Sequence, residues 1–310
     1  MDRHEQQNDL FERIKYIDQN LPDIFRKSQV SQYPYFFWMN YMQGLMPGLG
    51  LTYTMFQFSL AVMGDEEQKK YWLPLVQNHK IMGAYAQTEL GHGSNVAGLE
   101  TTATLDKATD EIVLHSPTIT STKYWPGDLG RFTSHAVVFA RLIVDSNDYG
   151  VNAFVVQYRD LKTFKRLPGF QSGDLGAKFG YHSKDNGWAS FDNFRIPRRN
   201  MLMGIASLSK EGDFEIKGDP KVLYTTMMLI RLCIVCDSPN FGLAALKIAL
   251  RYGAVRRQFA TIKGQKHERK IIDYQTFQSA LTPQLAGSIT NVLTGNYLRE
   301  QFRLMQEGFT

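Results

Sequence analysis

Three short stretches of the chain combine polar side chains, small residues and aromatics at spacings that suit chemistry. The first is Tyr85-Ala86-Gln87-Thr88-Glu89-Leu90-Gly91-His92-Gly93-Ser94-Asn95. It offers the Thr88 hydroxyl, exposed backbone N–H groups and glycines that let a ligand come close, which suits a flat, polar-edged heterocycle or a phosphate. The second, Ser121-Thr122-Lys123-Tyr124-Trp125-Pro126-Gly127, sets aromatics beside a tight turn, as a ring-stacking wall requires. An ordinary strand-end turn with buried aromatics has the same pattern. The third, Tyr252-Gly253-Ala254-Val255-Arg256-Arg257-Gln258-Phe259, is read as part of a basic helix. There an arginine and an amide one turn apart can hold a pyrophosphate, although a solvated charged face has the same composition.

Other chemistries lack their signatures. The sequence has no GxGxxG, Walker loop, HExxH or nucleophile elbow. Cys233 and Cys236 form a CxxC inside an apolar helical run, where both lie on one face and packing is favoured over redox or metal chemistry. His92 has no second ligand near it in sequence, so no metal site is assigned. The net charge is +5, and Arg251, Arg256, Arg257, Lys263, Lys266, Arg269 and Lys270 crowd 251–270 against Glu268 alone. Such a stretch can meet a nucleic acid, an anionic lipid surface or a phosphorylated small molecule. A solvated helix end and loop has the same composition, and the absence of aromatic-basic interleaving beyond this segment counts against a polyanion-binding protein.

Elements must position these stretches. The 310 residues suggest two or three domains. With 43% hydrophobic and 21% charged residues, wholesale disorder is excluded. Two cysteines exclude a disulfide scaffold, the charged first fifteen residues do not read as a secretory signal, and the apolar run near 222–236 reads as too short to span a bilayer. Residues 1–86 read as helical: Ile14, Ile17, Leu21 and Ile24 recur at helical spacing, Pro22 interrupts them, residues 33–63 read as buried helix broken at 44–48, and Asp65 is placed as an N-cap. From 87 to about 200 the texture turns to β-branched alternation. LETTATLD pairs with EIVLHSP through KATD, SHAVVFARLIV pairs with VNAFVVQYRD through DSNDYG, and WASFDNFRIP forms a further strand. Short strands with such turns suggest an antiparallel barrel or sandwich. Helical texture returns from 220, where Ser238-Pro239 either starts a new helix or kinks a long one.

The segments AQTELGHGSNVAGLETTATLD, LHSPTITSTKYWPGDLG, LPGFQSGDLGAKFGYHSKDNGW and FRIPRRNMLM, in this order and spacing, resemble the acyl-CoA oxidases, the peroxisomal branch of the acyl-CoA dehydrogenase superfamily. The resemblance is continuous from about residue 50 and weaker before it. It implies an α+β, acyl-CoA dehydrogenase-like fold: an N-terminal α-helical domain at 1–86, a central β-barrel flavin-binding domain at 87–205, and the first part of a C-terminal helical bundle at 220–310. It implies FAD as cofactor, with Thr88 and Gly127 at the flavin, and Arg256 and Gln258 reaching the FAD of a neighbouring subunit in a homodimer. It places Ser94 and Arg231 at the fatty acyl-CoA. The implied reaction removes an α-proton and a β-hydride from the thioester, with O2 reduced to peroxide, in peroxisomal fatty acid β-oxidation. The resemblance puts the catalytic glutamate beyond residue 310, the alternative position for it is Ile230, and Glu89 does not serve in its place, so no catalytic residue is assigned. The chain then reads as part of a longer oxidase with little turnover alone, or as a non-catalytic paralogue that binds flavin and acyl-CoA. It ends in Gly-Phe-Thr rather than a peroxisomal tripeptide.

Overall fold

The computed structural model describes residues 2–20, 50–218, 225–260, 264 and 267–307. The expectations for Pro22, for 33–49, and for Lys263 and Lys266 lie outside these residues. The chain forms two compact units, Met1–Thr226 and Met227–Thr310.

In the first unit, α1 spans Arg3–Asn20, a π-turn covers Thr52–Phe56, and α2 (Gln57–Met63) and α3 (Glu66–Gln77) follow. Asp65 caps α3 as its type predicts. Its carboxylate accepts from the Gln68 amide at 2.9 Å, and the Gln68 side chain accepts from the Asp65 amide at 3.1 Å. Arg199 donates to the same carboxylate at 2.8 Å. Gln68 also donates to the carbonyls of Arg199 and Met201, at 2.7 and 2.6 Å, which ties this helix start to the segment after the barrel strands.

The strands are β1 (Gly83–Ala86), β2 (Thr102–Asp106), β3 (Glu111–His115), β4 (Lys123–Tyr124), β5 (His135–Val144), β6 (Asn147–Gln157), β7 (Phe170–Asp174), β8 (Gly187–Phe191), β9 (Phe194–Pro197), β10 (Ala206–Leu208) and β11 (Phe214–Ile216). The two expected hairpins are present. β2 and β3 pair antiparallel, as do β5 and β6, which turn on Asp145 and Ser146, both left-handed at φ 49° and 67°. That is the backbone a two-residue hairpin demands.

The expectation of a purely antiparallel β domain is corrected by β5. Along one edge it pairs in parallel first with β1, at His135–Val138, and then with β2, at Arg141–Ile143. Alternation fixes which face a side chain takes and says nothing of strand direction, so the sheet is mixed. The chain therefore leaves this edge after Ala86 and returns at Thr102, and 87–101 is an excursion from it. WASFDNFRIP is two strands. It breaks at Asn193 (φ 48°), with β8 in a sheet ordered β4-β8-β7 and β9 paired to β3 in the larger sheet. Phe191 and Phe194 flank the break with rings 6.0 Å apart, and both join Tyr158 and Phe170 in the core. Burying each such ring contributes roughly 1.5–3 kcal/mol.

In the second unit, α4 runs unbroken over Thr225–Val255 with Pro239 inside it, so Ser238-Pro239 starts no new helix. Its Ile230–Val255 stretch, a different one from the 222–236 run, is long and apolar enough to cross a membrane by length and composition alone. α5 (Gln275–Glu307) packs antiparallel to it through close approaches at glycines. A Cβ on Gly295 would lie 3.3 Å from Cys236, one on Gly242 2.8 Å from Ser288, and one on Gly253 2.8 Å from Phe277. Cys233 and Cys236 are buried, and Cys236 Sγ donates to the Gly295 carbonyl at 3.5 Å, in keeping with packing.

Candidate functional site

The excursion 87–101 does not hang free. It is laced to residues 118–125. The Leu90 amide donates to the Thr122 carbonyl at 2.8 Å, the Gly91 amide to Thr120 at 2.9 Å, and the Tyr124 amide to Thr88 at 3.0 Å. The first two motifs of the sequence thus form one paired surface. Beneath it Glu89 and Lys123 make an ion pair of 2.9 Å with both side chains fully buried. Glu89 also accepts from the Glu100 amide at 2.8 Å, the Thr101 amide at 2.9 Å and the Thr101 hydroxyl at 2.6 Å. Lys123 donates in addition to the carbonyls of Gln87, at 3.2 Å, and Phe139, at 2.6 Å. Burial acts to raise the Glu89 carboxyl, but the Lys123 charge and these hydrogen bonds outweigh it and hold it below the usual range. Burial pushes the Lys123 ammonium down to about 8 against the pull of Glu89. His92 Nδ1 lies 3.2 Å from Glu89, so this histidine closes the loop.

Above this knot the surface is open. Thr88 is exposed, and its hydroxyl has no partner among the described residues. Trp125 sits at φ 75° with its side chain 53% exposed. Its backbone is clamped, because its amide donates to the Gly187 carbonyl at 2.9 Å and its carbonyl accepts from Asn186 Nδ2 at 3.0 Å. A tryptophan held in the left-handed region is strained, and here its surroundings impose that strain. Gly127 is buried, and a Cβ there would lie 2.5 Å from Leu51 Cδ1 and 2.8 Å from Lys184 Cε. Lys184 pairs with Asp128 at 2.5 Å. Asp185 accepts from the amides of Arg131 and Phe132, at 2.7 and 3.1 Å. Burial, reinforced by the charge of Asp128, raises the Asp185 carboxyl to about 8.

Ser94 is exposed on the same excursion as Thr88. Arg231 lies exposed on α4, and Arg256 and Gln258 are exposed beyond its end, all three in the second unit. The helical setting expected for Arg256 and Gln258 is corrected. α4 stops at Val255, and the next residues are extended against 268–271, the Gln258 amide donating to the Arg269 carbonyl and the Ile271 amide to Arg256, both at 2.9 Å. Sequence reasoning missed Leu51, the Glu89–Lys123 knot and the Asn186-Gly187 clamp. The signal for the clamp was present in KDNGW, which carries the resemblance but gives no reason to assign a residue.

Helices, a curled mixed sheet and returning helices, with these motifs at the sheet edge, define the acyl-CoA dehydrogenase-like α+β fold. Two family descriptions match the chain: "Acyl-coenzyme A oxidase N-terminal" over residues 1–82 and "Acyl-CoA oxidase, C-alpha1 domain" over 224–310. Peroxisomal acyl-coenzyme A oxidase 1 of Arabidopsis thaliana is 48% identical over 253 residues, 80% of this chain and 38% of that protein. The Rattus norvegicus protein of the same name is 43% identical over 267 residues, 86% of this chain and 40% of that protein. The solved Arabidopsis thaliana acyl-CoA oxidase 1 superposes with a TM-score of 0.89 at 40% identity, covering 100% of this chain and 47% of that one. Acyl-CoA oxidase-1 of Caenorhabditis elegans, solved in complex with FAD and ATP, gives a TM-score of 0.89 at 35% identity over 99% of this chain and 46% of that one. The chain belongs to the acyl-CoA oxidase family. It spans about two fifths of the length of the curated relatives it matches.

Proposed function

We propose that this chain carries the flavin seat and part of the acyl-CoA surface of a peroxisomal, FAD-dependent acyl-CoA oxidase that works as a homodimer. The observation that carries the reading is the clamped, exposed Trp125 ring beside the unpartnered Thr88 hydroxyl. A flat heterocycle with polar edges fits that pair: the indole offers a face and the threonine a hydrogen bond. In this reading Thr88 and the Gly127 turn hold the flavin. Arg256 and Gln258 hold the pyrophosphate of the partner subunit's FAD, and Ser94 and Arg231 border the acyl-CoA. Residues 1–86, 87–205 and 220–310 serve as the three domains. FAD, when bound, accepts the substrate's β-hydride and passes electrons to O2. The chain's own residues orient the thioester and shield it from water. Glu89 does not take the α-proton, because its carboxylate is buried and faces four donors. That commitment, together with Ile230 at the alternative base position, favours a second reading as a flavin- and acyl-CoA-binding subunit without turnover. Bound flavin in the purified chain tests the seat. Peroxide release with a saturated long-chain acyl-CoA separates the oxidase from the silent subunit.

A further inference from the structure

Residues 184–187 grip the 125–128 turn from both ends. The Trp125 amide donates to the Gly187 carbonyl and the Gly187 amide to the Pro126 carbonyl, both at 2.9 Å, while Asn186 Nδ2 donates to the Trp125 carbonyl at 3.0 Å. At the other end Lys184 Nζ donates to Asp128 Oδ1 at 2.5 Å. The turn needs this grip, because Trp125 and Asp128 both stand in the left-handed region, at φ 75° and 67°, and neither is glycine. Asp185 is the remaining member of the segment. Its Oδ2 accepts from the amides of Arg131 and Phe132, at 2.7 and 3.1 Å. Its Oδ1 and Asp128 Oδ2 are buried without a hydrogen-bond partner, and the two carboxyls lie within hydrogen-bonding reach of each other. The other charged and titratable groups around them are engaged elsewhere. Arg3 pairs with Asp174 at 2.7 Å, and the Arg131 side chain donates to Gln7 and His4. Arg159 donates to the carbonyls of Thr133 and Gly130, Lys178 to those of Gly176 and Lys184, and the Tyr158 hydroxyl is bonded to that of Thr133. Among the described residues, only Lys184 forms an ion pair with either carboxyl. Two carboxylates this close, facing one ammonium away from water, do not both ionise. The Lys184 charge and the Leu51 amide favour an ionised Asp128, so the proton belongs on Asp185. Placed on Oδ1 and donated to Asp128 Oδ2, it satisfies both oxygens and leaves one carboxylate for one ammonium.

We propose that Asp185 is a positioning residue for the flavin seat: it holds one proton against Asp128, and that proton keeps the Trp125–Gly127 turn closed on residues 184–187. The proposal rests on the flavin reading given above. Once the proton leaves, Asp128 faces a second anion and its end of the turn loosens. Burial keeps the proton on Asp185 up to about pH 8, so the grip on the cofactor is complete below that value and lost above it. FAD is titrated into the full chain one pH unit below and one above that value, in wild type and in Asp185→Asn. Wild-type affinity falls roughly tenfold across the interval, as the protonated fraction does. Asparagine accepts from both amides with its oxygen and donates an N–H to Asp128, with no proton to lose. The variant therefore binds FAD equally at both values, which a role in packing alone does not predict. Infrared difference spectra of the cofactor-free chain over the same interval read the proton itself. Wild type loses the carbonyl stretch of a neutral carboxylic acid, and Asp185→Asn shows no such loss. The proposal is overturned if wild type shows no such stretch, if the variant loses it as wild type does, or if the two affinities change in parallel with pH. The expected spectra with no FAD bound at any pH would instead sink the flavin reading, and with it the step from proton to cofactor, while the shared proton stands.

Discussion

A carboxylate facing four donors has no lone pair left for a substrate proton, and Glu89 is in that position. Its work is mechanical: it pins the start of the 87–101 excursion, immediately beside Thr88. Glu89→Gln leaves the Lys123 ammonium buried without a counter-charge, and breaking such a pair costs about 3–5 kcal/mol. Chemical denaturation without cofactor measures it, and a loss under about 1 kcal/mol contradicts the structural role. Thr88 is the opposite case, exposed and with no hydroxyl partner among the described residues, so Thr88→Ala leaves stability unchanged. It weakens FAD binding by about 1–2 kcal/mol, roughly 5–30-fold, read by flavin fluorescence. Asp185 gives a pH signature. Folded, it keeps its proton up to about pH 8, whereas an ordinary aspartate releases it near 3.8. Between those values the folded state binds more protons than the unfolded one, so stability falls as pH rises. Asp185→Asn removes this contribution and flattens the Tm profile between pH 4 and 8 (); parallel profiles for variant and wild type contradict it.

At the scale of elements, the sequence was readable wherever local pattern decides structure. Alternation gave the β2–β3 and β5–β6 hairpins, and the Asp65–Gln68 spacing gave the start of α3. It was not readable where tertiary pairing decides. Nothing in GAYA or TATLD says that both lie parallel to one strand, and that pairing is what sets 87–101 off as an excursion from the sheet edge. The end of α4 was misread because Arg256–Gln258 has good helix formers, while the actual stop comes from backbone pairing with 268–271. Of the site, the Thr88 and Trp125 stretches were legible as motifs, but their lacing and the buried pair beneath them arise from residues 34 apart in sequence. The turn at Gly127 carries its own prediction. Any Cβ there would meet Leu51 at 2.5 Å and Lys184 at 2.8 Å, so Gly127→Ala forces both to move. Overpacking of this kind costs typically about 1–3 kcal/mol. The variant melts lower even without FAD, and an unchanged melting point shows that the turn relaxes freely.

Across the whole molecule, the residues of the proposed site are divided between the two units: Thr88, Ser94, Trp125 and Gly127 belong to the first, Arg231, Arg256 and Gln258 to the second. The helices of the second unit leave Ile234, Phe241, Ile248, Leu293 and Tyr297 exposed, apolar surface of the kind that marks an interface. The homodimer reading draws on that surface, and the basic stretch expected from composition falls beside it, with Arg257 and Lys270 paired across one bridge. In the proposed function a flavin unites these features, and its stacking on Trp125 is the central claim. FAD titrated into the full chain, followed by tryptophan fluorescence in wild type and in Trp125→Phe, tests it most directly. The account predicts saturable quenching in wild type that is largely lost in the variant, which keeps an aromatic ring and still binds. Quenching of equal amplitude in both proteins, or none in wild type, contradicts it.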